Sequence, residues 1–382
     1  MSMSLASMIQ PEVVAQFYHA VLAVVGVLTT LGLAVVLIRW VWRLIAEPAS
    51  PSVLREDLGD RAPKIWGKEG LWRALGAMWV LDGLLQLQPA MPNSAFLEMV
   101  IAPNLLGQPG WVVRVMGWGI QAWSNAPITA DVVAVFVQLG IGLALLAGRW
   151  RPWGRWALWT SLVWGLFVWI FGEGMGGMLT GQASLVVGDP GSVLFYMASA
   201  GLLLLPDAMW LTGQVRRGVR WGVVGLWLWG ALVQAWPGAG FWSGPTLGTL
   251  FQNAAQNAQP PWLSGPIYAT AHWVTYHGLV ANGVLVGMMG LLALLWAWRP
   301  YGWSTMAVTV GWLGVLWWLG QDFGVLGGVG TDPNTAPVFA LLLGTAAWSQ
   351  KTLADVPALR FIPWLRAKRG AETLSVERGR RV

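Results

Sequence analysis

Read from its first residue, the chain alternates between long apolar runs and short polar stretches. Nine apolar runs stand out, at about 14–38, 70–88, 127–148, 156–173, 190–209, 221–237, 271–297, 303–320 and 335–350. Most hold about 17–25 residues, enough for a helix to cross roughly 30 Å of hydrocarbon. Backbone groups in lipid must be paired within their own segment, so each run is expected to be helical. The pattern predicts an all-α polytopic membrane protein with about nine transmembrane helices. The linkers 89–126 and 238–270 are rich in Trp, Pro, Asn and Gln, and predict short interfacial helices. The stretch from Glu47 to Glu69 is polar and Pro-rich, and the tail from Lys351 is polar and basic.

The apolar pattern occurs twice. A shift of 148 residues lays Trp79 on Trp227, Gln86 on Gln234, Pro89 on Pro237 and Gly142 on Gly290. The same shift lays Arg151-Pro152-Trp153-Gly154 on Arg299-Pro300-Tyr301-Gly302, Trp169 on Trp317 and Gly172 on Gly320. A five-residue deletion then brings Asp189-Pro190 onto Asp332-Pro333. Each copy carries four spans, and an even number returns the chain to its starting side. The two copies should therefore be parallel, related by a pseudo-two-fold axis along the membrane normal; inverted repeats would need an odd number. The expected organisation is an N-terminal helix in 1–45, a cytoplasmic loop over 46–69, four-helix repeats over 70–210 and 211–350, and a basic tail over 351–382. The interface between the repeats is the expected place for a ligand.

Composition agrees with the pattern. Some 56% of residues are hydrophobic and 10% charged, where a soluble domain carries about 25% charged residues. The net charge of +6 could suggest nucleic acid, but the positions of the bases decide otherwise. With the N-terminus outside, 22 of the 23 Lys and Arg fall on the cytoplasmic side and only Arg114 outside. Glu12, Glu98, Asp131, Glu173, Asp189, Asp322 and Asp332 fall at the outer face. This is the positive-inside distribution of a protein in a prokaryotic inner or plasma membrane, with a cytoplasmic C-terminus. Met1 to Glu12 holds no base, so no signal-peptide n-region is recognised. The 30 Trp suit interface belts and packing between helices, with a stacking surface for a flat cofactor as the other use. Cysteine is absent, which excludes disulfides and thiolate-held iron–sulfur clusters. No Walker loop, HExxH, dinucleotide fingerprint or nucleophile elbow is present.

Arg73, Gly76 and Gly83 open the first repeat, and Gly172-Glu173-Gly174 with Gly176-Gly177 is followed by Asp189-Pro190. In these features the chain resembles DoxX/DoxD-type membrane proteins. The resemblance covers most of 70–350 and departs in the second repeat, where Trp221 stands in place of Arg73. It implies a quinone-linked oxidoreductase subunit of the thiosulfate:quinone type, or a membrane partner of such extracytoplasmic redox subunits.

The candidate chemistry lies with few side chains. Asp82 sits near the middle of its span, where an ionisable group costs about 2.5–3.5 kcal/mol and normally faces protein or water. Its repeat partner is Gly230. It reads as a proton relay or counter-ion, or as a buried acid bonded to a Trp N–H or to Gln86. Glu173 and Asp322 end equivalent spans in glycine-rich loops and read as an acidic pair near the pseudo-axis, or as interfacial acids satisfied by loop amides. Asp189-Pro190 and Asp332-Pro333 read as helix starts, Asp capping and Pro at the first position. His19, His272 and His277 lie toward the outer side. The last two are five residues apart, hence about 140° apart on a helix. One of them with His19 and an acid could hold a metal, two imidazoles a haem, or either could hydrogen-bond a quinone. Separate interfacial histidines are the plainer reading. Arg114 could pair with Glu98 or Asp131, or hold an anionic substrate such as a sulfur oxyanion. The amide-rich stretch Phe251–Asn257 could be a lid or a docking surface. Three functions stay open: a quinone-interacting redox subunit, a transporter or channel for a small solute or cation, and a structural subunit of a larger membrane complex.

Overall fold

The computed structural model describes residues 5–45, 65–148, 152–256 and 260–348. The expected cytoplasmic loop up to residue 64, the Arg149–Arg151 stretch, Asn257 and the basic tail lie outside them. Twelve longer helices follow one another: α1 (Pro11–Ile45), α2 (Trp66–Leu85), α3 (Gly110–Asn125), α4 (Pro127–Gly148), α5 (Pro152–Phe171), α6 (Ser192–Leu204), α7 (Gln214–Ala235), α8 (Gly244–Ala254), α9 (Pro261–Tyr276), α10 (Gly278–Trp298), α11 (Trp303–Leu319) and α12 (Thr335–Ala347). No strand occurs among the described residues.

Three of these helices are long and apolar enough to cross a membrane: α1 over Pro11–Trp42, α4 and α10. Phe17, near its start, is buried, but no residue in the most apolar 18-residue window of α1 is. Leu22, Leu33, Val36 and Ile38 stand about two-thirds exposed, a surface that water would not tolerate over such a length. Two predicted spans are shorter than expected. The runs near 190–209 and 335–350 yield α6 and α12, each of 13 residues, or about 20 Å of helix. That is short of a bilayer core, and the connections before them, 172–191 and 320–334, fold in among the helices instead. The run at 271–297 also divides. His277, with φ −124° and ψ 31°, separates α9 from α10. The linker helices are as expected: α3 in the first linker, α8 and α9 in the second.

Helices that the 148-residue shift places in equivalent positions pair alike. α2 lies along α4 as α7 lies along α10, and α5 against α6 as α11 against α12. Trp79 meets Tyr196 edge-on at 4.9 Å, and at the equivalent place Trp227 meets Phe339 at 6.0 Å. α12 of the second half packs on α2 and α6 of the first, so the halves share one hydrophobic core.

The tryptophans divide between the core and the surface. Trp79, Trp210, Trp227 and Trp296 are fully buried, whereas Trp118, Trp156, Trp262 and Trp303 are exposed. Several buried indoles find acceptors, as buried Trp usually does. Trp72 donates to the Leu145 carbonyl at 2.7 Å, Trp79 to Ser161 Oγ at 2.8 Å and Trp296 to Thr309 Oγ1 at 2.9 Å.

Candidate functional site

The two inward connections are built alike. Each follows a helix ended by glycine and turns through left-handed residues: Gly174, Met175 and Gly176 at φ 56°, 55° and 60°, and Asp322, Phe323 and Gly324 at 47°, 58° and 68°. Each is then tied to the start of the next short helix. Trp169 Nε1 donates to the Pro190 carbonyl at 2.9 Å, and Trp317 Nε1 to the Pro333 carbonyl at 2.8 Å. Glu173 Oε1 accepts from the Val193 amide at 3.1 Å, and Gln321 Oε1 from the Ala336 amide at 3.1 Å.

These contacts correct the reading of the Asp-Pro pairs. Neither aspartate caps its helix; the residues preceding α6 and α12 are Gly191 and Asn334. The open amides of the first turn are satisfied across the loop by Glu173 and Gln321. Asp189 instead accepts from the Ser184 amide at 2.7 Å, and Asp332 from the Asn334 amide at 2.6 Å. The contacts also reset the acidic pair. Gln321, not Asp322, stands in the place of Glu173, while Asp322 takes the place of Gly174 and is wholly buried.

The carboxylate that joins Glu173 is Asp332. Ser192 Oγ, at the first turn of α6, donates to Glu173 Oε1 at 2.7 Å. Asp332 accepts from the Asn334 amide and from Thr331 Oγ1, and lies within electrostatic reach of Glu173. Glu173 Oε2 is buried with no hydrogen-bond partner.

One turn along α6, on the same face as Ser192, Tyr196 donates to Asp82 Oδ1 at 3.1 Å. Asp82 is buried, and lies within electrostatic reach of both Asp332 and Glu173. Two carboxyl groups of the first half, Glu173 and Asp82, are thus bonded to α6, and Asp332 of the second lies within electrostatic reach of both. Sequence reasoning singled out Asp82 and Glu173. It took Asp332 for a cap and passed over Ser192 and Tyr196, although the five-residue offset that aligns Asp189 with Asp332 also aligns Ser192 with Thr335.

The second half has no equivalent acid site, and the structure gives the reason. Gly230, the partner of Asp82, is covered by Leu185 from the longer first connection. A Cβ on Gly230 would fall 2.0 Å from Leu185 Cδ1. Phe339 stands where the first half has Tyr196, and Ser184, Gln234 and Asn282 form an uncharged chain with bonds of 2.6 and 2.8 Å. Truncating this plug, Leu185→Ala, leaves a cavity between the halves. It is expected to cost about 2–4 kcal/mol of stability, read as a lower melting temperature of the purified protein in detergent.

The remaining candidates lie elsewhere. His19, His272 and His277 are exposed, and among the described residues no three His, Asp or Glu are gathered to hold a metal ion. His277 Nδ1 is 2.9 Å from the Trp273 carbonyl and its ring stacks on Trp273; His272 lies edge-on to Tyr276. Both therefore sit at the end of α9 and its junction, not early in a span. Arg114 and Glu98 are exposed, and both carboxylate oxygens of Asp131 are buried without a hydrogen-bond partner, so the expected Arg114–Asp131 pair is not formed. Phe251–Ala254 closes α8, with Phe251 buried.

No family model matches the chain, and neither the curated proteins nor the solved structures include one that does. The likeness to DoxX/DoxD-type proteins rests on the quoted sequence motifs alone.

Proposed function

We propose that this is a proton-handling membrane protein, a carrier or channel whose working site is the cluster of Asp82, Glu173 and Asp332 around Ser192 and Tyr196. The chain would pass the bilayer nine times with its N-terminus outside. α6 and α12 would supply partial passages that the inward connections complete. Broken segments of this kind, with non-helical backbone sheltered by protein, commonly build ion sites within membranes.

The reading is carried by one observation: Glu173 of the first half, hydrogen-bonded to Ser192 at the start of a short helix, stands within electrostatic reach of the Asp332 carboxylate of the second. Like charges and burial favour the protonated forms, while the helix N-terminus and the Ser192 and Val193 donors favour ionisation. Opposed effects of this kind suit a group that both takes and releases a proton. Tyr196 extends the polar contacts from the loop to Asp82. The quinone-linked reading has less support, because His272 and His277 are exposed and act electrostatically on none of the three carboxyl groups.

The test is proton entry into proteoliposomes after a membrane potential is imposed, followed with an internal pH dye. Wild type is expected to exceed empty vesicles, and Asp82→Asn to fall at least tenfold toward them. Equal flux in the variant, or none in wild type, would overturn the proposal.

A further inference from the structure

At another place in the fold, a basic pocket of about 240 Å³ opens beside the start of α7. Its lining includes Thr212, Arg216, Arg217, Arg220, Pro300 and Tyr301. No carboxylate lines it. The residue preceding α7 is Gly213, at φ 75°, and no side chain caps the helix. Its first amides therefore add partial positive charge to that of the arginines.

The pocket is built rather than incidental. The Arg216 guanidinium lies 4.4 Å from the Tyr301 ring centroid, and Tyr301 OH donates to the Arg216 carbonyl at 2.7 Å. Arg220 is held over the Trp221 ring at 4.7 Å and donates from Nη2 to the Ala297 carbonyl. Its Nε is buried without a hydrogen-bond partner. A buried, unanswered guanidinium N–H is a donor waiting for an acceptor. Arg217 beside it is exposed. Around the pocket stand Trp221, Trp298 and Trp303, which are 57%, 79% and 86% exposed. Such indoles settle at the headgroup level of a bilayer. By the charge distribution this is the cytoplasmic face, where anionic lipids meet basic pockets between helices.

We propose that this pocket binds a phosphate group, supplied by the headgroup of an anionic phospholipid. Arg217 and the first amides of α7 would contact the phosphate oxygens, Arg220 would add charge from the wall, and the exposed indoles would flank the acyl chains. Arg216 would shape the wall through Tyr301.

The full-length protein in phosphatidylcholine nanodiscs, with and without phosphatidylglycerol, tests this. Wild type is expected to retain phosphatidylglycerol in native mass spectra and to melt higher in its presence. Arg217→Gln, at an exposed position where folding is not at stake, should weaken retention about tenfold, the loss of one charge-assisted bond. Arg217→Lys should restore part of it. Equal retention by wild type and Arg217→Gln would overturn the site. Saturable binding of inorganic phosphate in pure phosphatidylcholine, lost in Arg217→Gln and with no preference for phosphatidylglycerol, would overturn the lipid as its source.

Discussion

Gly176→Ala is expected to keep the protein from accumulating in folded form. Gly176 has φ 60°, and a Cβ there would fall 1.7 Å from the Pro190 carbonyl oxygen and 2.1 Å from its carbon. Backbone cannot yield as a flexible side chain can, and this carbonyl is also held by Trp169 Nε1. The loop must therefore open. Opening frees an indole N–H and removes Glu173 from the first turn of α6. The left-handed conformation costs alanine about 1–2 kcal/mol, and each buried donor left unpaired about 1–3 kcal/mol more. The total of about 4 kcal/mol or more is in the range that only a few named mechanisms reach. Gly181 is the control. Its φ of 77° is equally left-handed, but a Cβ would meet nothing within 4 Å. Gly181→Ala should lose about 1 kcal/mol and still purify as a single species. If the two variants melt together, the close approach at Pro190 is not what holds the loop.

The fate of these loops shows what could be read from the residues. Apolar runs and the 148-residue shift announce helices and a duplication, because both are periodic features that need no tertiary partner. The contacts of Trp169 and Trp317 follow the same shift. Asp332 was not legible as a site residue. Asp before Pro has a strong local explanation, and only folding of the loop reveals that Gln321 serves the first turn of α12 instead. Glu173 and Asp322 looked alike because each is the lone acid in its loop's first turn. The shift that aligns Gly172 with Gly320 puts Gln321 opposite Glu173, and the hydrogen bonds follow that register. The asymmetry at Asp82 and Gly230 was plain in the sequence, but its reason was not. Leu185 fills the second position from a loop whose extra length could be counted and whose path could not. The two 13-residue helices escaped for a similar reason: apolar residues continue past their ends, and hydropathy alone does not register where the backbone leaves the helix.

That register also supplies the means to examine Glu173, since Gln321 shows that an amide suits this place. Gln321 Oε1 accepts from the start of α12 much as Glu173 Oε1 does from the start of α6. Glu173→Gln should therefore fold, as a permanent mimic of the protonated acid. In wild type Glu173 Oε1 accepts from Ser192 Oγ and from the Val193 amide. Glutamine keeps a carbonyl oxygen for these two donors but has no acidic proton to pass on. Glu173→Gln should therefore lose no more than about 1 kcal/mol of stability, read as a melting temperature close to that of wild type, while proton entry into proteoliposomes falls at least tenfold toward empty vesicles. Glu173→Ala leaves both donors without their acceptor and should cost about 1–3 kcal/mol for each. A Glu173→Gln protein that melts with wild type and still carries protons at the wild-type rate would mean that Glu173 only ties the loop to α6.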